Sequence, residues 1–246
     1  MRYLVLSDIH ANLQALDAVL AAVTRRDVDR VLLLGDVVGY GADPNGVIER
    51  VIALAPDALI RGNHDKVAAG VEPPDTFNAA ARYAAMWTLA HLTPAHRDWL
   101  ASLPRGPVVV DQMEICHGSP GDEDEYIFEP ATAEEALRAA RAPLCFFGHT
   151  HVQVGYRLSA GSLGMILPEA DAATEVVLEP GLRYLINPGS VGQPRDGDPR
   201  AGYAVYDSEA GVVRLHRVGY DIAGAQADIL AAGLPEALAH RLAIGR

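Results

Sequence analysis

Short apolar runs, each stopped by a small or polar residue, recur through the first third of the chain. Tyr3 to Leu6 gives way to Ser7 and Asp8, Val31 to Leu34 stops at Gly35, and Leu59-Ile60 ends before Gly62. Runs this short with such punctuation read as buried strands. Between them Leu13, Leu16, Leu20 and Val23 fall at helical spacing. Asp43-Pro44 is an N-cap and first-turn pair for a helix through Val47, Val51 and Leu54. Strand and helix alternating in this way predict right-handed βαβ crossovers and a parallel sheet core.

The middle of the chain reads as helical. Residues 76–91 are rich in alanine, and Thr93-Pro94 starts a helix carrying Trp99 and Leu100. Val108 to Val110 and Met113 to Cys116 read as strands, as a hairpin. Thr132 with Glu135 predicts a capping box for a helix through Leu137. Leu144 to Phe147 reads as a strand, and β-type segments follow at 152–158, 162–167, 175–178, 183–186, 202–207 and 212–219. Asp221 is placed to cap a C-terminal helix. With no linker, repeat or low-complexity tract in view, residues 1–246 are expected to form one domain.

Bulk composition narrows the function. The chain carries 32 acidic against 20 basic residues, a formal net charge of −12. Non-specific affinity for nucleic acid comes mainly from Lys and Arg, so binding to a polymeric nucleic acid is not expected. A small phosphorylated substrate remains compatible, because bound divalent ions reverse the local field. No run of about 18 apolar residues is present, so no membrane span is expected. The opening residues show no signal-peptide pattern, and two cysteines are too few for a disulfide framework, so a cytoplasmic location is expected. Oligomeric state leaves no mark in the sequence, although helices around Trp87 and Trp99 offer an apolar face.

Residues able to bind metal fall just after the strands. Asp8 and His10 follow the first, Asp36 the second, and Asn63, His64 and Asp65 the third. His117 follows the strand ending at Cys116, and His149 and His151 follow the strand ending at Phe147. In open α/β sheets the carboxyl ends of strands converge on one crevice. Five of the nine histidines lie in these loops, and His91, His96, His216 and His240 lie in ordinary helix or strand contexts. Imidazole and carboxylate donors without thiolate suit Mn, Fe or Zn. Two cations close together need a carboxylate between them, and Asp36, central in the order, is the natural bridge. Each piece alone has an ordinary reading: a capped turn with a surface histidine, a Gly-Asp turn, a buried cysteine that packs as a small hydrophobe. The ordered set does not.

That set resembles the calcineurin-like metallophosphoesterase superfamily. The motifs are Asp8-Ile9-His10, Gly35-Asp36, Gly62-Asn63-His64-Asp65, Cys116-His117-Gly118 and Gly148-His149-Thr150-His151, and Asn187-Pro188-Gly189-Ser190-Val191 extends the likeness. The stretches Gly35 to Gly41 and Gly192 to Arg195 resemble the small bacterial and archaeal branch that acts on simple phosphodiesters. The resemblance implies an α/β fold, two mixed β-sheets packed as a sandwich and flanked by helices in four layers. It implies one metal held by Asp8, His10, Asp36 and His151, and another held by Asp36, Asn63, His117 and His149. Mn²⁺ leads among the metals, with Fe, Zn or Ni as alternatives. Asn63 and His64 are implied next to the substrate phosphate, with His64, steadied by Asp65 or a backbone carbonyl, at the leaving oxygen. The implied reaction is in-line attack on a phosphodiester by a hydroxide bridging two metals.

Alternatives remain at this point. The same metal core serves phosphomonoesterases and dinucleoside-polyphosphate hydrolases, so the pocket walls decide; Tyr40, Asn45, the stretch 74–100 and Arg195 are candidates for them. Arg195 follows a loop rich in turn formers, and a guanidinium fork matches the two free oxygens of a diester. Its other reading is a solvated side chain paired with Asp196 or Asp198. A non-catalytic binding scaffold on the same fold is the third reading, and the presence of His64 with the complete ligand set speaks for the enzyme.

Overall fold

Alternation of buried side chains along the strands sets the architecture. In the computed structural model, which describes residues 1–23, 28–170 and 172–246, the chain begins β1 (Arg2–Leu6), α1 (Leu13–Ala22), β2 (Arg30–Leu33), α2 (Pro44–Leu54), β3 (Ala58–Leu59) and α3 (Asn63–Ala68). Next come α4 (Ala79–His91), α5 (Pro94–Ala101), β4 (Val108–Val110), β5 (Met113–Ile115), α6 (Pro130–Ala139) and β6 (Leu144–Phe146). The remaining strands are β7 (Val154–Ser159), β8 (Ser162–Ile166), β9 (Thr174–Val177), β10 (Arg183–Asn187), β11 (Ala201–Asp207) and β12 (Val212–Val218). The helices α7 (Ile222–Ala231) and α8 (Glu236–Leu242) follow.

The strands form two six-stranded mixed sheets, ordered β3-β2-β1-β11-β12-β9 and β4-β5-β6-β10-β7-β8. As the βαβ reading requires, β1, β2 and β3 pair in parallel, while β11 joins β1 antiparallel. In the second sheet β5, β6 and β10 are parallel neighbours. Tyr3, Val5, Leu32 and Leu34 from the first sheet meet Met113, Ile115, Leu144, Phe146 and Ile186 from the second. The alternate residues Leu4, Leu6 and Leu33 turn the other way, against Leu16 and Val19 of α1 and Val47 and Val51 of α2. On the far side Cys145 and Leu185 pack under Ala133, Ala136 and Leu137 of α6. The result is the four-layer αββα arrangement.

Caps fix where several helices start. Asn12, Asp43, Asn78, Thr93 and Asp221 each accept from a backbone N–H three residues on. The capping box expected at Thr132 and Glu135 is not where α6 begins. The helix starts at Pro130, whose fixed φ suits the first turn, with Glu129 in the N-cap position. The C-terminal helix expected after Asp221 is two helices, broken around Gly233 (φ 70°). Phe146 is fully buried between the sheets. Phe146→Ala should lower stability by roughly 3–5 kcal/mol, the usual range for emptying a core aromatic site. A denaturation midpoint equal to the wild type's would remove Phe146 from the core.

Candidate metal centre

Seven side chains that follow β1, β2, β3, β5 and β6, six in loops and Asn63 at the start of α3, meet at one end of the two sheets. Asp8, His10, Asp36 and His151 offer ligand atoms all within 4.8 Å of one another, and so do Asp36, His117 and His149. Asp36 belongs to both groups. Its Oδ2 lies 3.5 Å from Nε2 of His10 and 3.5 Å from Nε2 of His117. Its Oδ1 accepts from the backbone N–H of His64 at 2.9 Å, which fixes the carboxylate. Asn63 joins the second group, with Oδ1 3.2 Å from Nε2 of His117.

Outer partners orient the histidines. Nδ1 of His10, His117 and His151 faces the carbonyls of Val38, Leu34 and Gln193 at 3.0, 2.8 and 2.7 Å. A carbonyl only accepts, so each Nδ1 carries the hydrogen and each Nε2 faces inward, with a lone pair in the neutral rings of His10 and His151. His149 is reversed: its Nε2 donates to the Asp124 carbonyl at 3.0 Å, leaving Nδ1 as the donor atom. Nε2 of His10 and Nε2 of His151 are 3.0 Å apart. Two lone pairs converging on one point need a cation between them, and this donor set fits one.

Electrostatics agree. Burial works to raise Asp8 and Asp36, but neighbouring imidazoles, chiefly His151 for Asp8 and His117 for Asp36, outweigh it and hold both well below the usual carboxylate range. Burial holds His10 and His151 low and takes His149 to about 3, which keeps these rings neutral, the form able to bind a metal. Burial would lower His117 as well, but the Asp36 charge overcomes it and raises His117 to about 10. With protein groups alone, Asp36 obtains its counter-charge from the His117 proton, a place suited to a metal ion.

The backbone is bent to make this convergence. Asp8, His10, Asp36, His149 and His151 all have positive φ, between 51° and 65°. Left-handed backbone is costly for residues other than glycine and persists where the surroundings enforce it, commonly at functional sites. Here bonds between loops enforce it: the N–H of Asp8 donates to the Gly35 carbonyl, that of His10 to Asp36, and that of His149 to the Asp8 carboxylate. Gly62 is required because a Cβ there would overlap Asp36.

The other sequence candidates divide. His64 is 4% exposed, with its ring 4.3 Å from Tyr40, 4.5 Å from Phe77 and 5.0 Å from His10 between centroids, and Nδ1 has no hydrogen-bond partner. Asp65 does not hold it. The Asp65 carboxylate faces backbone, accepting from Val38 N–H at 3.1 Å and Gly62 N–H at 3.0 Å, so it caps α3 and ties it to the β2 loop. Burial, with the Asp36 charge second, pushes Asp65 up to about 7. Arg195 lies with Cζ 5.4 Å from the Tyr40 ring centre, and its backbone N–H donates to the His151 carbonyl. Asp196 instead pairs with Arg217 and Asp198 with Arg200, so the solvated pairing considered for Arg195 is not formed. Asn45 is not a pocket wall: its amide bonds the His91 carbonyl, Thr93 N–H and His96. From the stretch 74–100, Phe77 reaches His64.

Residues 1–211 match the calcineurin-like phosphoesterase superfamily domain. The chain belongs to that superfamily. An uncharacterized protein of Methanocaldococcus jannaschii is 36% identical over 251 residues, covering 98% of this chain and 97% of that one. A metallophosphoesterase from Sphaerobacter thermophilus superposes with a TM-score of 0.89 at 43% identity, over 100% of both chains. A hypothetical protein from Pyrococcus horikoshii shares the fold, with a TM-score of 0.82 at 22% identity over 100% of this chain and 98% of that one. Family and Asp/His cluster together suggest a dinuclear divalent metal site in this phosphoesterase. No helix among the described residues is long and apolar enough to cross a membrane.

What the motifs of this phosphoesterase leave unannounced is the outer shell. The carbonyls of Val38, Leu34, Gln193 and Asp124 hold four of the clustered imidazole rings, and backbone carbonyls carry no residue-type signal. Tyr126, whose ring lies 3.8 Å from His149, was also missed; its one trace is an aromatic pair spaced by two in an acidic segment. Elemental analysis should find about two transition-metal ions per chain, and Asp36→Asn should lose both metal and activity, since a neutral bridge does not offset two dications. Full activity in excess chelator would sink this assignment.

Proposed function

We propose that this phosphoesterase hydrolyses a small phosphodiester. The carrying observation is the Asp36 carboxylate, with one oxygen equally distant from His10 and His117 and the other fixed by the N–H of the residue that flanks the crevice, His64. Asp8, His10, Asp36 and His151 would hold one divalent ion, and Asp36, Asn63, His117 and His149 the other. When bound, such a pair supplies an activated water and offsets phosphoryl charge. Mn²⁺ leads for donors of this type, with Fe, Zn or Ni as alternatives.

The chain's own residues supply the rest. His64, packed between Tyr40 and Phe77 with Nδ1 unbonded, donates a hydrogen bond or proton to the leaving oxygen. Arg195, steadied by Tyr40 and by Gln193 Oε1 at 3.0 Å, has a buried Nε without a partner and meets the free oxygens of the ester. One guanidinium suits the single negative charge of a diester. Arg241, with Cζ 6.0 Å from the Tyr40 ring centre, favours the alternative of a monoester or a dinucleoside polyphosphate, but its Nε is engaged with the Arg246 carbonyl. A panel of diesters and monoesters assayed with each metal decides between them, and faster turnover of monoesters would reject the diester reading.

His64→Ala should retain both metals and lower kcat by roughly 10²–10⁴, the range of general acid–base assistance. Loss of metal in step with activity would make His64 a ligand instead. Arg195→Ala should raise KM without changing metal content, and Arg195→Lys should restore little, because an ammonium lacks the planar fork. An unchanged KM for every hydrolysed ester would place Arg195 outside the substrate site.

A further inference from the structure

Two aromatic side chains on the rim of the metal centre serve no purpose in holding metal. Tyr126 is 48% exposed and Phe128 56%, while Ile127 between them is buried. In an extended segment that alternation puts both rings on one face. The Tyr126 ring stacks on His149 with planes 26° apart, and the Phe128 ring stacks on Tyr126 at 5.5 Å with planes 7° apart. A series of near-parallel rings thus starts at a candidate metal ligand and ends in solvent.

The segment carrying these rings is braced. Arg61 forks onto Glu123, with Nε 3.2 Å from Oε2 and Nη2 2.9 Å from Oε1. The buried Lys66 ammonium spans Asp124 at 2.7 Å, Glu72 at 3.1 Å and Glu123 at 3.3 Å. The Asp124 carbonyl in turn receives the ring Nε2–H of His149. Loop position and ligand position are therefore set together, and the rings stand on a fixed base next to the crevice. A single exposed phenylalanine needs no explanation. Two stacked rings on a salt-bridged loop against a metal ligand are a preorganised flat surface, and the acidic neighbours Asp122, Asp124 and Glu125 make that surface unfit for a second phosphate.

We propose that Tyr126 and Phe128 form the binding surface for a planar aromatic substituent of the substrate, a nucleobase or an aryl ring, attached to the phosphate held at the metal centre. Stacking on aromatic side chains tolerates any planar ring, since every such ring has a π-face to offer. The proposal rests on the phosphoester reading for what lies at the crevice, and it names the substrate class that reading leaves open.

Phosphonates test it without turnover, because their P–C bond is not hydrolysed. Binding of methylphosphonate, phenylphosphonate and the phosphonate analogue of adenosine monophosphate to the Mn²⁺-loaded chain would be measured by calorimetry. At least one ring-bearing ligand should bind about tenfold or more tighter than methylphosphonate, within the range stacking contributes, and the two ring ligands separate aryl from nucleobase. Phe128→Ala, at an exposed position that touches no candidate ligand, should shrink that ratio while methylphosphonate affinity stays as a reference. Tyr126→Ala should abolish the ratio. Equal affinities for all three phosphonates, or a ratio indifferent to both substitutions, would overturn the proposal. If no phosphoester is turned over yet the ring preference persists, the hydrolase reading fails and the aromatic site stands.

Discussion

Two carboxylates, Asp8 and Asp36, are buried to 1% exposure or less, and among the described residues their charged or chargeable partners are histidines. Burying an ion is expensive unless an opposite charge and hydrogen bonds accompany it. Here the carboxylates take what the backbone offers, the N–H of His64 for Asp36 and the N–H of His149 with the Ser7 hydroxyl for Asp8. The remaining demand falls on the imidazoles, and their donor atoms point inward because carbonyls hold the opposite edges. A site with this much negative charge and this many inward lone pairs is built for cations.

The same demand explains the strained backbone. Each ligand leaves a strand end and must turn its side chain back across the sheet ends, which five of them do through left-handed φ. Glycines carry the closest approaches instead: a Cβ at Gly192 would overlap the Ile9 carbonyl, and one at Gly35 would meet the Gly62 backbone at 2.6 Å. Asn187 adds a further tie, its amide donating to the Gly148 carbonyl and the Thr150 hydroxyl. The two sheets thus contribute to one crevice, through the segments after β1, β2 and β3 of the first and after β5, β6 and β10 of the second. Packing of Tyr3, Val5 and Phe146 between the sheets holds those loops in register.

Most of the architecture was legible because apolar runs and their punctuation report burial directly. The clustering of the candidate ligands was legible for a related reason: polar residues directly after buried strands have few bland explanations once several occur in order. The failures have local causes. Gly62-Asn63-His64-Asp65 read as a loop, yet Asn63–Ala68 is a helix, because Asp65 reaches back to cap Gly62 N–H and no apolar period is needed for so short a turn. That same bond took Asp65 away from His64. The start of α6 shifted from Thr132 to Pro130 because proline's preset φ competes well with a capping box. Asn45 looked like a pocket residue by position, but its amide is consumed in joining α2 to the helices behind it. Side-chain destinations of this kind depend on partners far away in sequence.

The two halves of the candidate centre are unequal, and the inequality bears on how it would work. The first half gathers two carboxylates and two neutral imidazoles, while the second has the shared Asp36, two imidazoles and the neutral amide of Asn63. With fewer fixed negative charges, the second half attracts a cation less strongly. Its ligands are also held differently: Asn63 sits at the first turn of α3, and His149 hangs on the Asp124 carbonyl, which Lys66 anchors through the Asp124 side chain. The weaker half is therefore the one whose geometry depends on the loop that carries Tyr126 and Phe128.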